Sequence, residues 1–178
     1  MPANTPISHA NVRSQLYYVA HAAAPCPSCG HPTRVLALAV PPAHETLDVD
    51  IEDFDIEAES DPGDRGGADS WQRADANAFL FYVLRLPDDV RHRMQQLSPN
   101  YRLAQSAAHP SLHWANHCER CGAQLDDHDL HCEPDGGFMP SSPAAAADIH
   151  LLQISEPFLA DAAGYAVEPE FFGFMRRS

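Results

Sequence analysis

Cys26 and Cys29 stand two residues apart in "PCPSCGH", and Cys118 and Cys121 repeat the spacing in "HCERCG". Both stretches read C-x-x-C-G. A tight turn of this kind aims two thiolates and several backbone N–H groups at one point. The Gly after the second Cys, Gly30 or Gly122, takes the positive φ that lets the chain leave the turn. Two such turns facing each other place four sulfurs at the corners of a tetrahedron, a donor set that suits Zn²⁺. Iron held by four thiolates is the rival metal. A redox C-x-x-C would open a helix after a strand, and "CGHPTRVLALAV" does not read as helical.

Histidines and a fifth thiol crowd the second pair. His113, His117, His128, His131 and Cys132 could hold a second transition metal, or support the thiolates from outside the first coordination sphere. Read as a strand, "AQLDDHDLH" puts His128 and Cys132 on one face and Asp129 and His131 on the other. His21 and His31 flank the first pair in the same supporting position. Enzyme signatures are absent: no H-E-x-x-H, G-x-S-x-G, Walker A or G-x-G-x-x-G motif occurs. The chain contains no Lys, which excludes Schiff-base and P-loop lysines. A zinc bound by four thiolates has no open position for water and is structural.

The flanking patterns say what positions these turns. "LYYVAHA" precedes the first and "RVLALAV" follows it, so the turn tips a β-hairpin. "LHWANH" leads into the second. "NAFLFYVLRL" is an almost continuous apolar run, expected as a central strand ended by Pro87. "PDDVRHRMQQL" then predicts a short helix, with Asp88 and Asp89 at its start and Val90, Met94 and Leu97 along one stripe. "GGFMPSSPAAAAD" reads as loop, "IHLLQIS" as strand, and Phe171, Phe172 and Phe174 as a cap on the core. The expected fold is α+β and β-rich, with antiparallel sheet, paired zinc-ribbon-like knuckle hairpins and one or two short helices. The chain is expected to form one domain over 1–178. Its knuckle hairpins occupy 26–40 and 112–131, and a body is inserted at 41–110.

Charge supplies the remaining clue. The net charge is −14, and the segment 45–69 carries eleven carboxylates against one Arg. "LDVDIEDFDIEAESD" alternates in two phases, as an edge strand with a bulge would, or forms an acidic arm that docks on a basic partner. Asp48, Asp50, Glu52, Asp53, Asp55 and Glu57 are the candidate partner-binding residues. Phosphate binding needs clustered basic residues, and "RHRMQQLSPNYR" is the only basic stretch, so nucleic acid is disfavoured as a partner. No apolar run reaches the length of a membrane span, and the N-terminus lacks the layout of a signal peptide. With five cysteines and no disulfide framework, a cytoplasmic location is expected.

The paired turns resemble the knuckles of the zinc-ribbon class. More narrowly, "WANHCERCGAQLDDHDLHCEP" is similar to stretches of bacterial proteins that have no established activity. Those proteins share an early C-x-x-C-G-x-x-T, matched here by Cys26, Cys29, Gly30 and Thr33. They also share a distant knuckle and an acidic stretch ending in Leu-His, matched here by Cys118, Cys121, Gly122, Leu130 and His131. The similarity covers about forty residues, and implies a metal and a fold element but no activity. The expected function is a non-enzymatic, zinc-stabilised acidic protein that engages a basic protein as inhibitor, immunity protein or adaptor. The alternatives are a nucleic-acid-associated zinc ribbon and a metal-dependent enzyme built on the histidines.

Overall fold

The computed structural model describes residues 9–47 and 70–178. In chain order its elements are β1 (Val12–Ser14), β2 (Tyr17–Pro25), β3 (Pro32–Val40), β4 (Glu45–Leu47), β5 (Trp71–Arg73), β6 (Ala78–Arg85), α1 (Asp88–Leu97), β7 (Tyr101–Ala104), β8 (His113–His117), β9 (Gln124–Leu125), α2 (Asp127–His131), α3 (Pro143–Ala146), β10 (His150–Ile154), β11 (Phe158–Val167) and β12 (Arg176–Arg177). A single 3₁₀ turn at Phe172–Phe174 precedes β12. The strands join into one mixed sheet, curled into a half-barrel, and the fold is β-rich α+β. Its main path runs β12-β10-β2-β3-β6-β11-β1-β4-β5, and β7, β8 and β9 branch from β6 through β8. All described pairings are antiparallel except β10 with β12, which is the parallel contribution.

β3 and β6, neighbours in the middle of the sheet, carry apolar side chains on both faces. β3 is buried from Val35 to Val40, and β6 from Ala78 to Leu80 and again at Tyr82 and Val83. Alternate residues feed two cores. Val19, Leu36, Leu38, Leu80 and Val83 meet Val90 and Met94 of α1 on one side. Ala20, Val35, Ala37 and Phe79 meet Leu130, Phe138, Phe172 and Met175 on the other. α1 follows the sequence expectation, with its acidic first turn and its buried stripe.

Three expectations need correction. The stretch after the second knuckle is a strand only at β9. From Asp127 it turns into α2, because the Asp126 side chain accepts from the His128 N–H (2.9 Å) and caps the helix. The Ala-rich stretch expected as loop contains α3, capped by Ser142 with Pro143 at its first position. Of the C-terminal aromatics Phe172 is buried and Phe171 packs against the core as expected, but Phe174 is 60% exposed and touches the Phe171 ring instead. The acidic run from Asp48 to Glu57, with its expected bulge, lies outside the described residues.

Candidate metal centre

Each knuckle is built by the same bonds. The Gly30 N–H donates to the Cys26 carbonyl (2.8 Å) and the Cys26 N–H to the His31 carbonyl (2.9 Å). In the second, Gly122 donates to Cys118 (2.9 Å) and Cys118 to Ala123 (2.8 Å). Gly30 has φ +69° and Gly122 φ +73°, the left-handed conformation that a side chain would strain. The sequence-level reason for the trailing glycines is thus the geometry found.

The two turns face each other. Cys26 Sγ lies 3.6 Å from Cys121 Sγ and Cys29 Sγ 3.7 Å from Cys118 Sγ. All four sulfurs fall within 4.8 Å of one another, the single such group among the described residues. Disulfide sulfurs sit about 2.05 Å apart, so these are free thiols. Metal–sulfur bonds of about 2.3 Å in a tetrahedron require edges of about 3.8 Å. The two closest spacings lie near that edge, and the chemistry of the four residues fits a thiolate-bound metal ion. Cys26 and Cys118 are buried, while Cys29 and Cys121 face outward.

Electrostatics point the same way. The Cys121 backbone N–H, helped by that of Arg120 at 3.4 Å, pulls the Cys118 thiol down to about 6 despite desolvation. Cys121 accepts the Ala123 N–H, but the neighbouring sulfurs of Cys29, Cys26 and Cys118 outweigh it and push this thiol up to about 12. Four sulfurs this close cannot all carry charge without a cation among them.

Two polar side chains lock the knuckles together: Thr33, the Thr of the C-x-x-C-G-x-x-T stretch, and Asn116, which the sequence did not single out. Thr33 Oγ1, fully buried, accepts the Glu119 backbone N–H at 2.8 Å and so ties the first knuckle to the second. Asn116 copies a strand edge: its Oδ1 accepts the Leu36 N–H (2.8 Å) and its Nδ2 donates to the Leu36 carbonyl (2.9 Å). β6 pairs with β3 only from Leu38 onward, and Asn116 takes over where that ladder stops. A lone polar residue inside "HWANH" was the only available signal.

The histidines are dispersed rather than gathered. His113, His117 and His131 are buried instead of lying at the surface. The His113 Nδ1–H donates to the Ser111 carbonyl (3.0 Å), and its ring meets Tyr82 edge-on. His117 points Nδ1 at the Asn100 and Ala115 carbonyls, both 3.1 Å away, not at a thiolate. His131 sits in an aromatic box with Phe79, Phe81 and Phe138, and burial there pulls its pKa down to about 3. His128 and Cys132 are exposed on the opposite side of α2. His21 stacks on His150 across β2 and β10, at 4.8 Å. His31 serves through its backbone carbonyl.

Asp127 is the other residue the sequence hid. It is buried in the first turn of α2 and accepts the Tyr82 backbone N–H at 2.6 Å. Tyr82 has φ +49°, a left-handed residue inside a strand, and its N–H has left the ladder to reach this carboxylate. Burial pushes Asp127 up to about 7, against the Tyr82 hydrogen bond and with help from the charge of Asp126. Its neighbour Asp126 accepts the Tyr82 hydroxyl (2.8 Å).

Comparison with protein-family models, with curated proteins and with solved structures finds no match to this chain. The four-cysteine cluster is therefore described by its own geometry, as a candidate structural metal site. No helix among the described residues is long and apolar enough to cross a membrane.

Proposed function

We propose that this is a non-enzymatic binding protein, held in shape by one zinc ion in a zinc-ribbon-like site, that engages a basic protein partner. The observation carrying the reading is the cluster of four cysteine sulfurs, all within 4.8 Å of one another. With four thiolates on the ion there is no vacant position for water or substrate, so the metal contributes folding energy instead of chemistry. Zinc is preferred because thiolate tetrahedra are its usual structural site. The free thiols suit a reducing compartment such as the cytoplasm.

The partner's character follows from charge. At −14, with no Lys, the protein repels phosphate backbones and attracts cationic surfaces. Asp48, Asp50, Glu52, Asp53, Asp55 and Glu57 lie outside the described residues and remain candidates for that contact. An electrostatically steered complex associates fast at low salt and weakens as salt rises.

Elemental analysis of protein purified without added metal tests the first half, with one zinc per chain expected; the red colour of thiolate-bound iron would overturn it. Titration of affinity for a basic protein against ionic strength tests the second half. Affinity indifferent to salt, or retention of generic DNA or RNA instead, would reject the partner class.

A further inference from the structure

The ladder of β10 with β2 covers Tyr17 to His21, whereas β2 itself runs on to Pro25. In that ladder His21 faces His150, Val19 faces Leu152 and Tyr17 faces Ile154. The alternate edge of β10 is engaged by β12 and the chain end, since Arg176 and Ser178 donate to the Ile149 and Leu151 carbonyls. His150, Leu152 and Ile154 therefore bond β2. The next residue in that series is Asp148, which would face Ala23. It does not: the Asp148 N–H turns back to the Ala145 carbonyl of α3, 3.2 Å away.

The other edge of β2 fixes which groups this leaves open. The Cys26 N–H donates to the His31 carbonyl, and Leu36, opposite His21, spends both backbone groups on Asn116. By the alternation of an antiparallel pair, Ala22 and Ala24 bond β3, whereas Ala23 and Pro25 point their backbone groups away from it. Ala23 thus presents an N–H and a C=O, and Pro25 a C=O, with no partner among the described residues. Ala23 is exposed.

That open edge lines a groove. A hollow of about 500 Å³ runs beside Ala22 and Ala23, and a second of about 220 Å³ beside Ala24, Pro25 and Pro27. They adjoin through Asp135, Gly136 and Gly137, which line both. The first is also walled by Asp148, and the second by Asp126, Asp129 and Glu133. Among the described residues no Arg or His lines either hollow. His128 lies 3.9 Å from Asp129 and 3.8 Å from Glu133, and among the described residues no ion pair reaches Asp135 or Asp148. Asp135 additionally accepts the Ser141 hydroxyl.

We propose that this groove binds an extended, arginine- or lysine-bearing peptide segment of a partner protein, added as a short strand to the edge of β2 where β10 leaves it. One peptide residue exchanges both backbone bonds with Ala23. A second, two positions along, donates its N–H to the Pro25 carbonyl. The cationic side chains reach the carboxylates on the groove walls. Backbone bonding at an exposed edge gives such complexes affinity, and the charge of the walls selects the sequence. Pro25, which has no N–H to offer, limits the added strand to these few residues and discourages pairing between copies of the protein. The proposal rests on the reading of a basic protein partner and deepens it by naming the surface and the form the partner takes.

The test uses the full chain with its metal and a synthetic probe, acetyl-Thr-Arg-Thr-Arg-Thr-Arg-Thr-amide, followed by isotope-edited NMR. Binding should shift and protect the Ala23 amide. N-methylation of two peptide nitrogens two positions apart in the middle of the probe, which keeps the charge and removes the edge bonds, should weaken affinity at least tenfold. The double variant Asp135→Asn, Asp148→Asn should weaken it severalfold. Asn is well tolerated at Asp135, whose φ is +62°. Equal affinity for the N-methylated probe, or equally tight binding of spermine, would overturn the strand-addition model. If the probe binds with salt dependence but leaves Ala23 unperturbed, the groove is wrong and the basic-partner reading stands. If neither the probe nor poly-arginine binds at low salt, both fall together.

Discussion

The two knuckles have the same turn, the same trailing glycine and the same pair of backbone bonds, yet they are carried very differently. The first tips a hairpin of two nine-residue strands, β2 and β3, that run through the middle of the sheet. The second hangs between a five-residue strand and a two-residue strand, and β8 meets β6 at the single pair Val83↔Trp114. The first knuckle is formed by the sheet. The second leans on its attachments: the ladder of β8 with β7, Asn116, Thr33, α2 behind it and the facing thiols of the first knuckle. Identical local chemistry therefore does not imply equal stability, because the energy comes from what lies behind the turn.

The largest break in that symmetry comes from the metal. Chelation, or Cys118→Ser, removes an interaction on the order of 10 kcal/mol in structural zinc sites. Hydrogen exchange should then show protection lost across β8 and β9 but retained in β2 and β3 near the sheet centre. Uniform loss across both knuckles would erase the distinction.

The next effect concerns α2, which packs behind the second knuckle with two buried titratable groups of opposite sign. Asp127 is raised by burial to about 7 in the folded protein, so the native state holds this proton more tightly than the unfolded chain. Its stabilising proton is fully present below about pH 4 and lost as pH rises through about 7, worth on the order of 4 kcal/mol. His131 is lowered to about 3, so its contribution is complete above about pH 6.5 and is lost as pH falls toward 3. Between pH 4 and 6.5 the two slopes oppose each other. Asp127→Asn should expose the histidine slope, making the variant's stability rise with pH relative to wild type in urea melts. Taking the difference cancels thiol protonation. Parallel curves would show that Asp127 titrates normally.

Asn116→Leu should cost about 2–4 kcal/mol, because it orphans the buried N–H and C=O of Leu36. The loss should appear in both knuckles, since this residue joins them. Thr33→Val is the smallest change, removing one acceptor from the Glu119 N–H for about 1 kcal/mol. Its signature would be faster metal release from the Cys118 side with little change in melting.

Legibility in the sequence follows the same division. The cysteine spacing, β2, β3, β6, β8, β10 and α1 could be read because each is specified locally, by a repeated turn or a run of apolar residues. α2 was missed because "DDHDLH" alternates briefly like a strand, whereas its cap, Asp126, and its buried partner, Tyr82, lie 44 residues apart. The function of Asn116 depends on Leu36, 80 residues away. The histidines looked like ligands because proximity in sequence stood in for proximity in space. Their rings turned out to be packed into separate surroundings.

The pairing of Leu47 with Trp71 at the end of the β4–β5 ladder has a practical consequence. Those two Cα atoms lie about 5 Å apart, as in any such pair, so the described residues on either side of 48–70 frame one narrow doorway. A two-residue Asn-Gly turn can close the doorway, turning the whole stretch into a detachable cassette. Its removal takes away nine of the fourteen net negative charges. Whatever cationic molecule the trimmed protein still captures owes that capture to the body alone.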